Sequence, residues 1–476
     1  MTRAELEQLS RDALIDLVLR QQAVIEELQA LVNRLQRELA AAQARMAELE
    51  ARLGRPPKTP DNSSVPPSKA FKRNRPQPDQ PRKRGPKVGH VGVTRPRAEP
   101  DVTLELRVER CRRCGQSLDA AAQQPKEWRQ VVDLPPIRPV VYEAIAYEAT
   151  CPHCGEKQQA AFPPGFPAPQ ALGPSLRAAI TYLYALQHLP YQRLQSILAG
   201  LFGLKVAVGS LVNAVHRIGA ALAPQAEEIR QAVVQSAVVS SDETGARIDG
   251  QNWWHWVFRS EAAVYHVIAR RRGAQVIEET LDGAQPEVWV SDQWRPQLKA
   301  PASQHQLCLA HELRRLKFAE DCGDTVFAPR MAQLLRRALQ LARNRVAWSE
   351  AEVQRRKAEI EQELDGLLQL SPMHPEGERL QETYRRQRDK LLVFLERPEV
   401  PPTNNASERA LRPAVVHRKV TGGFRSEVGA RVYSVILSVT DTARQRGLDV
   451  LEILRVAAGS RLFPGATAVS PERSPP

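Results

Sequence analysis

The sequence predicts a multidomain α+β protein, and three observations carry that prediction. Apolar residues repeat in heptads over the first fifty positions, two Cys-x-x-Cys pairs stand among only six cysteines, and helical periodicity gives way after residue 233 to short strands. At 476 residues the chain is long for one core and suits about three units at roughly 150 residues each. No apolar run reaches the ~18 residues that suggest a membrane span. The start, MTRAELEQLS, is acidic where a secretory leader would be basic and then apolar. A soluble, cytoplasmic chain with no membrane contact is expected.

Residues 1–53 place Val18, Ile25, Val32, Leu39, Met46 and Leu53 at one seam position and Leu14, Leu28, Leu35, Ala42 and Leu49 at the other. Such a narrow stripe faces a partner helix, and early β-branched residues at the first position with Leu at the second favour two parallel strands. A coiled-coil homodimer is therefore expected. The alternative, an amphipathic helix packed on its own protein, usually shows a wider apolar stripe. Gly54 and Pro56 stop the helix. From 54 to 100 the chain is rich in Pro, Lys, Arg and Ser, and between Gly54 and Arg97 twelve Lys or Arg stand against Asp61 and Asp79, so that stretch carries ten of the net +13 charges. That composition buries too little apolar surface to offset ordering entropy and reads as a disordered linker. It is also where the polyanionic partner implied by a pI near 9.7 would be met, lying along phosphates in a salt-sensitive, sequence-independent way.

Residues 101–165 contain Cys111-Arg-Arg-Cys114-Gly and Cys151-Pro-His-Cys154-Gly, each Gly suiting a tight turn around a metal. Four thiolates fit tetrahedral Zn²⁺, and the alternating stretches VTLELRV and PVVYEAIAYEAT predict strands between them, a zinc-ribbon-like unit for binding DNA. Disulfides are the competing account and fit an intracellular chain poorly. Residues 166–232 read as helices, and YQRLQSILAGLFGLKVAVGSLVNAVHRIG has the helix, glycine turn and helix of a helix-turn-helix. In that reading the helix from about Ser210 to Ile218 faces a major groove with Asn213 and Arg217 as readers. A plain helical hairpin in a core fits equally.

From 233 to 455 the order becomes β-β-β-α-β: SAVVSSDETGAR, NWWHWVFRS, AAVYHVIA, a helix from about Gly273 to Leu281, and PEVWVSDQW. That order matches the start of an RNase H-like fold, whose first and fourth strands lie side by side at the sheet centre. Asp242 and Asp292, at the ends of those two strands, would then meet at one sheet edge. Paired divalent ions that support in-line displacement at phosphorus need bridging carboxylates, so a third acid is expected. TNNASERALR supplies one: a helix start with Asn404 or Asn405 as cap and Glu408 in its first turns. Residues of about 312–400, rich in Arg, Glu, Gln and Leu, read as helices inserted before it, and 456–476 as a disordered tail. Taken singly, each acid would more often serve a turn or a cap.

Several motifs together resemble the transposases of the insertion-sequence-sixty-six family, the TnpC type, over nearly the whole chain. They are PPKTPDNSSVPPSKAF, GPKVGHVG, SDETGARIDGQNWWHWVF, RRGAQVIEE, CLAHELR and NNASERALRPAVVHRKVTGGFRSEVGARVYSVILSVTDTARQRG. The resemblance implies that Asp242, Asp292 and Glu408 form a DDE triad holding Mg²⁺ or Mn²⁺. It further implies cut-and-join chemistry at the ends of a mobile element, in which water and then a 3′-hydroxyl attack phosphorus. The implied partners are DNA, as terminal inverted repeats and target, and companion proteins of the same element, in a bacterial, nucleoid-associated setting. The chain departs from the family in reading SDQW after the fourth strand.

Other residues carry weaker signals. Trp253, Trp254 and Trp256 fit core packing better than base stacking. Cys308 and His311 have ligand spacing, but two ligands do not make a site. Arg409, Arg412, His417, Arg418 and Lys419 could hold phosphates, with helix-surface charge an equal account. Two other functions use the same parts: a DNA-binding regulator descended from a transposase, and an RNase H-like nuclease or resolvase.

Overall fold

The computed structural model describes residues 10–53, 56–63, 65, 92, 95–134, 137–163, 166 and 171–459. Most of the basic linker expected at 54–100, and the tail beyond 459, lie outside the described residues. Helix α1 (Arg11–Leu53) runs unbroken for 43 residues, and its seam residues Val18, Ile25, Leu28, Val32, Leu35, Leu39 and Met46 are all exposed. A lone helix with so long an apolar stripe gains little stability from its own backbone and needs a partner surface.

Strands form sparingly around the cysteines. A hairpin of β1 (Glu148–Thr150) and β2 (Lys157–Gln159) flanks the second pair, and a single bridge from Arg110 to Ser117 flanks the first. The longer strands expected from VTLELRV and PVVYEAIAYEAT are absent except for the last three residues of the second stretch. Their alternating apolar residues, among them Val102, Leu104, Leu106, Val140 and Val141, are exposed. Without a core to cover one face, alternation alone does not hold a ladder.

Residues 171–459 are built around a five-stranded sheet of order β5-β4-β3-β6-β7, formed by β3 (Val238–Ile248), β4 (Gln251–Arg259), β5 (Val264–Ala269), β6 (Val288–Ser291) and β7 (Gln304–Leu307). The expected first and fourth strands, β3 and β6, are central and parallel, with Val238, Val239 and Ser240 opposite Val288, Trp289 and Val290. Sequence reading missed β7, a short strand whose QHQL has only one apolar residue. Helix α5 (Ala274–Leu281) connects β5 to β6 at the expected place.

One core joins the sheet to helices α2 (Pro174–Thr181), α3 (Tyr191–Phe202), α4 (Val208–Val234), α12 (Glu427–Gln445) and α13 (Val450–Ala457), with Trp256, Phe258 and Trp289 at its centre. The helix expected near 210–218 is the first part of the 27-residue α4. Its Leu211, Val215, Ile218 and Leu222 enter this core, while Asn213 and Arg217 are turned away from it. A Cβ at Gly219 would lie 2.7 Å from Val432 Cγ1, so glycine permits the close crossing of α4 and α12. Edge strand β5 is covered by α12, whose Thr442 and Ser438 hydroxyls accept from the Val264 and His266 amides at 3.0 and 2.8 Å.

A second core packs Val288, Val290 and Leu307 of the sheet against α6 (Leu309–Asp321), α7 (Phe327–Arg343), α8 (Glu350–Leu367), α9 (Pro375–Arg386) and α10 (Val393–Glu396). The chain then returns to the sheet as α11 (Asn405–Thr421), which sets Leu411 on Val257 and Val264.

Candidate active site

Strand alternation decides which face each acid takes. Asp242 pairs across the ladder with Val257, and Glu243 with Trp256, so the two neighbouring acids point to opposite faces. Asp242 shares its face with the Val257–Leu411 contact, where α11 lies. It sits inside β3 rather than at the strand end as expected, because the antiparallel ladder with β4 continues to Ile248. The parallel pairing with β6 stops at Ser240, however, so Asp242 lies just past it, as Asp292 lies just past Ser291. Both acids thus occupy the carboxyl edge of the parallel pair.

Helix α11 brings the third acid and is fastened to β3 along its length. Asn404 is buried and is the cap residue, yet its side chain does not cap. Its Nδ2 donates instead to the Ser241 carbonyl at 2.7 Å. Near the other end the Arg418 guanidinium donates to the Gly245 carbonyl, and the Phe424 amide donates to the Arg247 carbonyl at 2.8 Å. The turn between helix and bridge passes through Gly423, at φ 103°, where a Cβ would lie 2.6 Å from the Arg247 oxygen. Only glycine tolerates both that conformation and that approach. Glu408, one turn before Leu411 on this helix, is near enough for its charge to act on Asp242.

The electrostatics match the geometry. Burial first, then the charges of Glu243, Asp292 and Glu408, holds the Asp242 carboxyl well above the usual carboxylate range. Glu408 Oε1 is buried and makes no hydrogen bond. His311 Nε2 and the guanidinium nitrogen Nη2 of Arg314 are each 3.6 Å away, and burial lowers the His311 pKa. Asp292 Oδ1 accepts from the Trp294 amide at 2.9 Å, which fixes its orientation. A buried surplus of carboxylates with an orphaned oxygen suits a hard divalent cation.

Three further acids of this domain escaped sequence reading. Glu312 is fully buried on α6, accepts from Gln293 Nε2 at 3.0 Å, and is pushed up to about 7 by burial. Its place within CLAHELR, one of the family-like motifs, was the available signal. Glu243 is buried on the opposite face, where it accepts from Arg272 at 2.9 Å and from Gln297 Nε2 at 2.9 Å. Arg272 itself lies between the rings of Trp254 and Trp294, 4.5 and 4.1 Å from their centroids. Trp256 is fully buried, and Trp253 and Trp254 pack partly against the core. The third, Asp441, ends a buried relay from His255 to His266 (3.0 Å) to Asp441 (3.1 Å) that ties β4, β5 and α12 together.

Of the residues expected to meet phosphates, Arg409, Arg412 and Lys419 lie on the outer side of α11. Arg418 is occupied with β3. His417 is buried among Tyr184, Phe424 and Tyr433 and is held at about 3 by burial, so it is a neutral core residue and not a phosphate contact.

The two cysteine pairs share one local geometry. In each, the glycine amide donates to the first cysteine's carbonyl at 2.9 Å, and Gly115 and Gly155 take φ of 72° and 74°. Backbone amides of the next residues also point at Cys111 and Cys151 and lower their thiol pKa. The four sulfurs do not close on a single point among the described residues.

Residues 170–432 match the family model described as transposase IS66 family, which covers more than half of the chain. The chain belongs to the IS66 transposase family. Residues 109–155, containing all four knuckle cysteines, match the zinc-finger binding domain of transposase IS66. A curated relative, the uncharacterized protein y4jO of Sinorhizobium fredii, is 37% identical over 86 residues, 18% of this chain and 26% of the relative. The chain thus aligns with about a quarter of that relative's length. The zinc-finger match at 109–155 thus precedes the sheet, and the transposase match at 170–432 spans it. No described helix is long and apolar enough to cross a membrane.

Proposed function

We propose that this IS66 transposase cleaves DNA at the ends of its element and joins the freed ends to target DNA, using Asp242, Asp292 and Glu408 to hold divalent cations. The observation that supports the reading is the fastening of α11, which carries Glu408, to β3, beside the carboxyl edge where Asp242 and Asp292 stand. Bound Mg²⁺ or Mn²⁺ would supply charge neutralisation at the phosphate and acidify the attacking hydroxyl. The chain's own part is to fix the three carboxylates on a rigid sheet and to orient Asp292 through the Trp294 amide. An RNase H-like identity for this sheet belongs to the same proposal.

The remaining parts serve end recognition in this reading. Zinc at Cys111, Cys114, Cys151 and Cys154 closes the knuckles into a DNA-binding unit, Asn213 and Arg217 read bases, and Arg409, Arg412 and Lys419 meet phosphates. The exposed seam of α1 pairs two chains in a parallel coiled coil. Arg418 is the exception among the six expected DNA contacts, since its guanidinium serves the fold.

The test is an assay on a duplex carrying the element's own terminal repeats, with Mg²⁺ or Mn²⁺, for wild type, Asp242→Asn, Asp292→Asn and Glu408→Gln. Cleavage and joining by the wild type alone, with all four proteins binding the duplex equally, is the expected result. Equal cleavage by any acid variant would remove that residue from the site. Cleavage without joining would favour a nuclease.

A further inference from the structure

The chemistry above leaves Cys308 and His311 unused, yet the fold gives them a third partner. The Cys308 sulfur, a His311 ring nitrogen and a Glu408 carboxylate oxygen all lie within 4.8 Å of one another. Cys308 is fully buried at the start of α6, and the Asn404 amide donates to its sulfur at 3.1 Å. Burial pushes the Cys308 thiol up to about 11, an effect that the amides of Ala310 and His311, two and three residues on, only partly offset.

The zinc knuckles have amides at the same two positions after the first cysteine. Cys111 receives the amides of Arg113 and Cys114, and Cys151 those of His153 and Cys154, again two and three residues on. Cys308-Leu-Ala-His311 shares that spacing, with histidine in the place of the second cysteine, but Cys308 opens helix α6 where the knuckles turn through Gly115 and Gly155. Glu408 Oε1 is buried without a hydrogen bond, 3.6 Å from His311 Nε2, which leaves a lone pair for an ion.

We propose that Cys308, His311 and Glu408 form a site for zinc or a similarly soft divalent ion, and that occupying it draws Glu408 away from the aspartates and inhibits the enzyme. The inhibition rests on the catalytic reading of Glu408; the site itself does not. Sulfur, nitrogen and oxygen ligands with a fourth position open suit Zn²⁺, whereas Mg²⁺ takes hard oxygen ligands and rejects a thiolate. Bond lengths of ~2.0–2.3 Å around tetrahedral zinc place ligand atoms about 3.5 Å apart, so the three groups need close by only about 1 Å. Zinc binding breaks the S–H bond, forms the Zn–S bond and releases the proton to solvent.

The first test counts zinc per full-length chain against a chromophoric chelator, for wild type, Cys308→Ser, His311→Ala and Asp242→Asn. We expect wild type and Asp242→Asn to hold about one ion more than either of the other two. Equal counts in all four overturn the site. The second test adds buffered free zinc to Mg²⁺-supported cleavage of the end-bearing duplex. Cys308→Ser should match wild type without zinc but need at least about 10–100-fold more zinc for half-inhibition, since losing even an outer-shell partner weakens metal affinity on that scale. Equal zinc sensitivity would overturn the inhibition. Because the zinc count needs no catalysis, it decides the site even for a chain that cuts no DNA, a result that would sink the catalytic reading alone.

Discussion

In the cysteine unit each pair of thiols is set by four consecutive residues, whereas the acids are gathered from residues 242, 292 and 408. The knuckles form their turns with no buried apolar residue among the described residues of 101–163, and their apolar neighbours stay exposed. The acids stand on a sheet covered by two hydrophobic cores and a helix tied to β3 at several points. Local chemistry can shape half of a metal site, but bringing the halves together takes either the ion itself or a folded core. On the proposed reading the knuckles rely on the ion, and the acids rely on the core.

The largest expected effect separates chemistry from folding. Asp242→Asn, Asp292→Asn or Glu408→Gln should each lower cleavage by about three orders of magnitude or more, as loss of a core catalytic group does. Circular dichroism should stay unchanged, because none of these carboxylates holds the core. Chelation should divide the molecule next. With EDTA, limited proteolysis followed by mass spectrometry should open sites between 101 and 163 while 171–459 stays protected. Protection of both regions would mean that the cysteine unit does not depend on metal for closure.

A third expectation concerns the tie between helix and strand. Asn404→Ala leaves the buried Ser241 carbonyl without its donor, costing about 1–3 kcal/mol, and should reduce cleavage by loosening Glu408. Denaturant unfolding beside the cleavage rate measures both. Unchanged values would mean that α11 is held adequately by Arg418 and Phe424.

The fourth reads the acids without catalysis. The folded-state pKa of Asp242 is raised, so its contribution to stability is present below the unfolded carboxylate pKa and is lost as pH rises through the folded value. Metal-free wild type should therefore melt lower than metal-free Asp242→Asn near neutral pH, by ~2–4 °C for each kcal/mol involved. The gap should shrink as pH falls into the ordinary carboxylate range, and a gap independent of pH would count against the crowding of acids. The smallest effect is electrostatic: Arg409→Ala should weaken DNA binding across sequences and reduce the salt slope by about 1.

What could be read from the sequence divides along the same line. Heptads in 1–53, the Cys-x-x-Cys pairs and the β-β-β-α-β order are patterns of near neighbours, and the helix, the knuckle turns and the strand order are all present. Asp242 and Asp292 could be placed at one edge because parallel neighbours share a carboxyl end. The burial of His417 could not be read, since its partners Tyr184, Phe424 and Tyr433 come from three separate elements. Cys308 and His311 lacked a visible third ligand because Glu408 lies almost a hundred positions away and reaches them only through α11. The alternation that suggested strands at 102–108 and 139–150 was present as well, but strands need a face to bury, and none is supplied there.

Everything proposed for catalysis depends on the three acids holding one divalent cluster. The most direct measurement replaces Mg²⁺ with Fe²⁺ in the full-length protein bound to its end-bearing duplex, adds ascorbate and peroxide, and maps where the backbone is cut by radicals generated at the metal. Cuts beside residues 242, 292 and 408 together, lost in Asp242→Asn and suppressed by excess Mg²⁺, are the result this account predicts. Cuts that spare any one of the three, or that persist unchanged in Asp242→Asn, would contradict it.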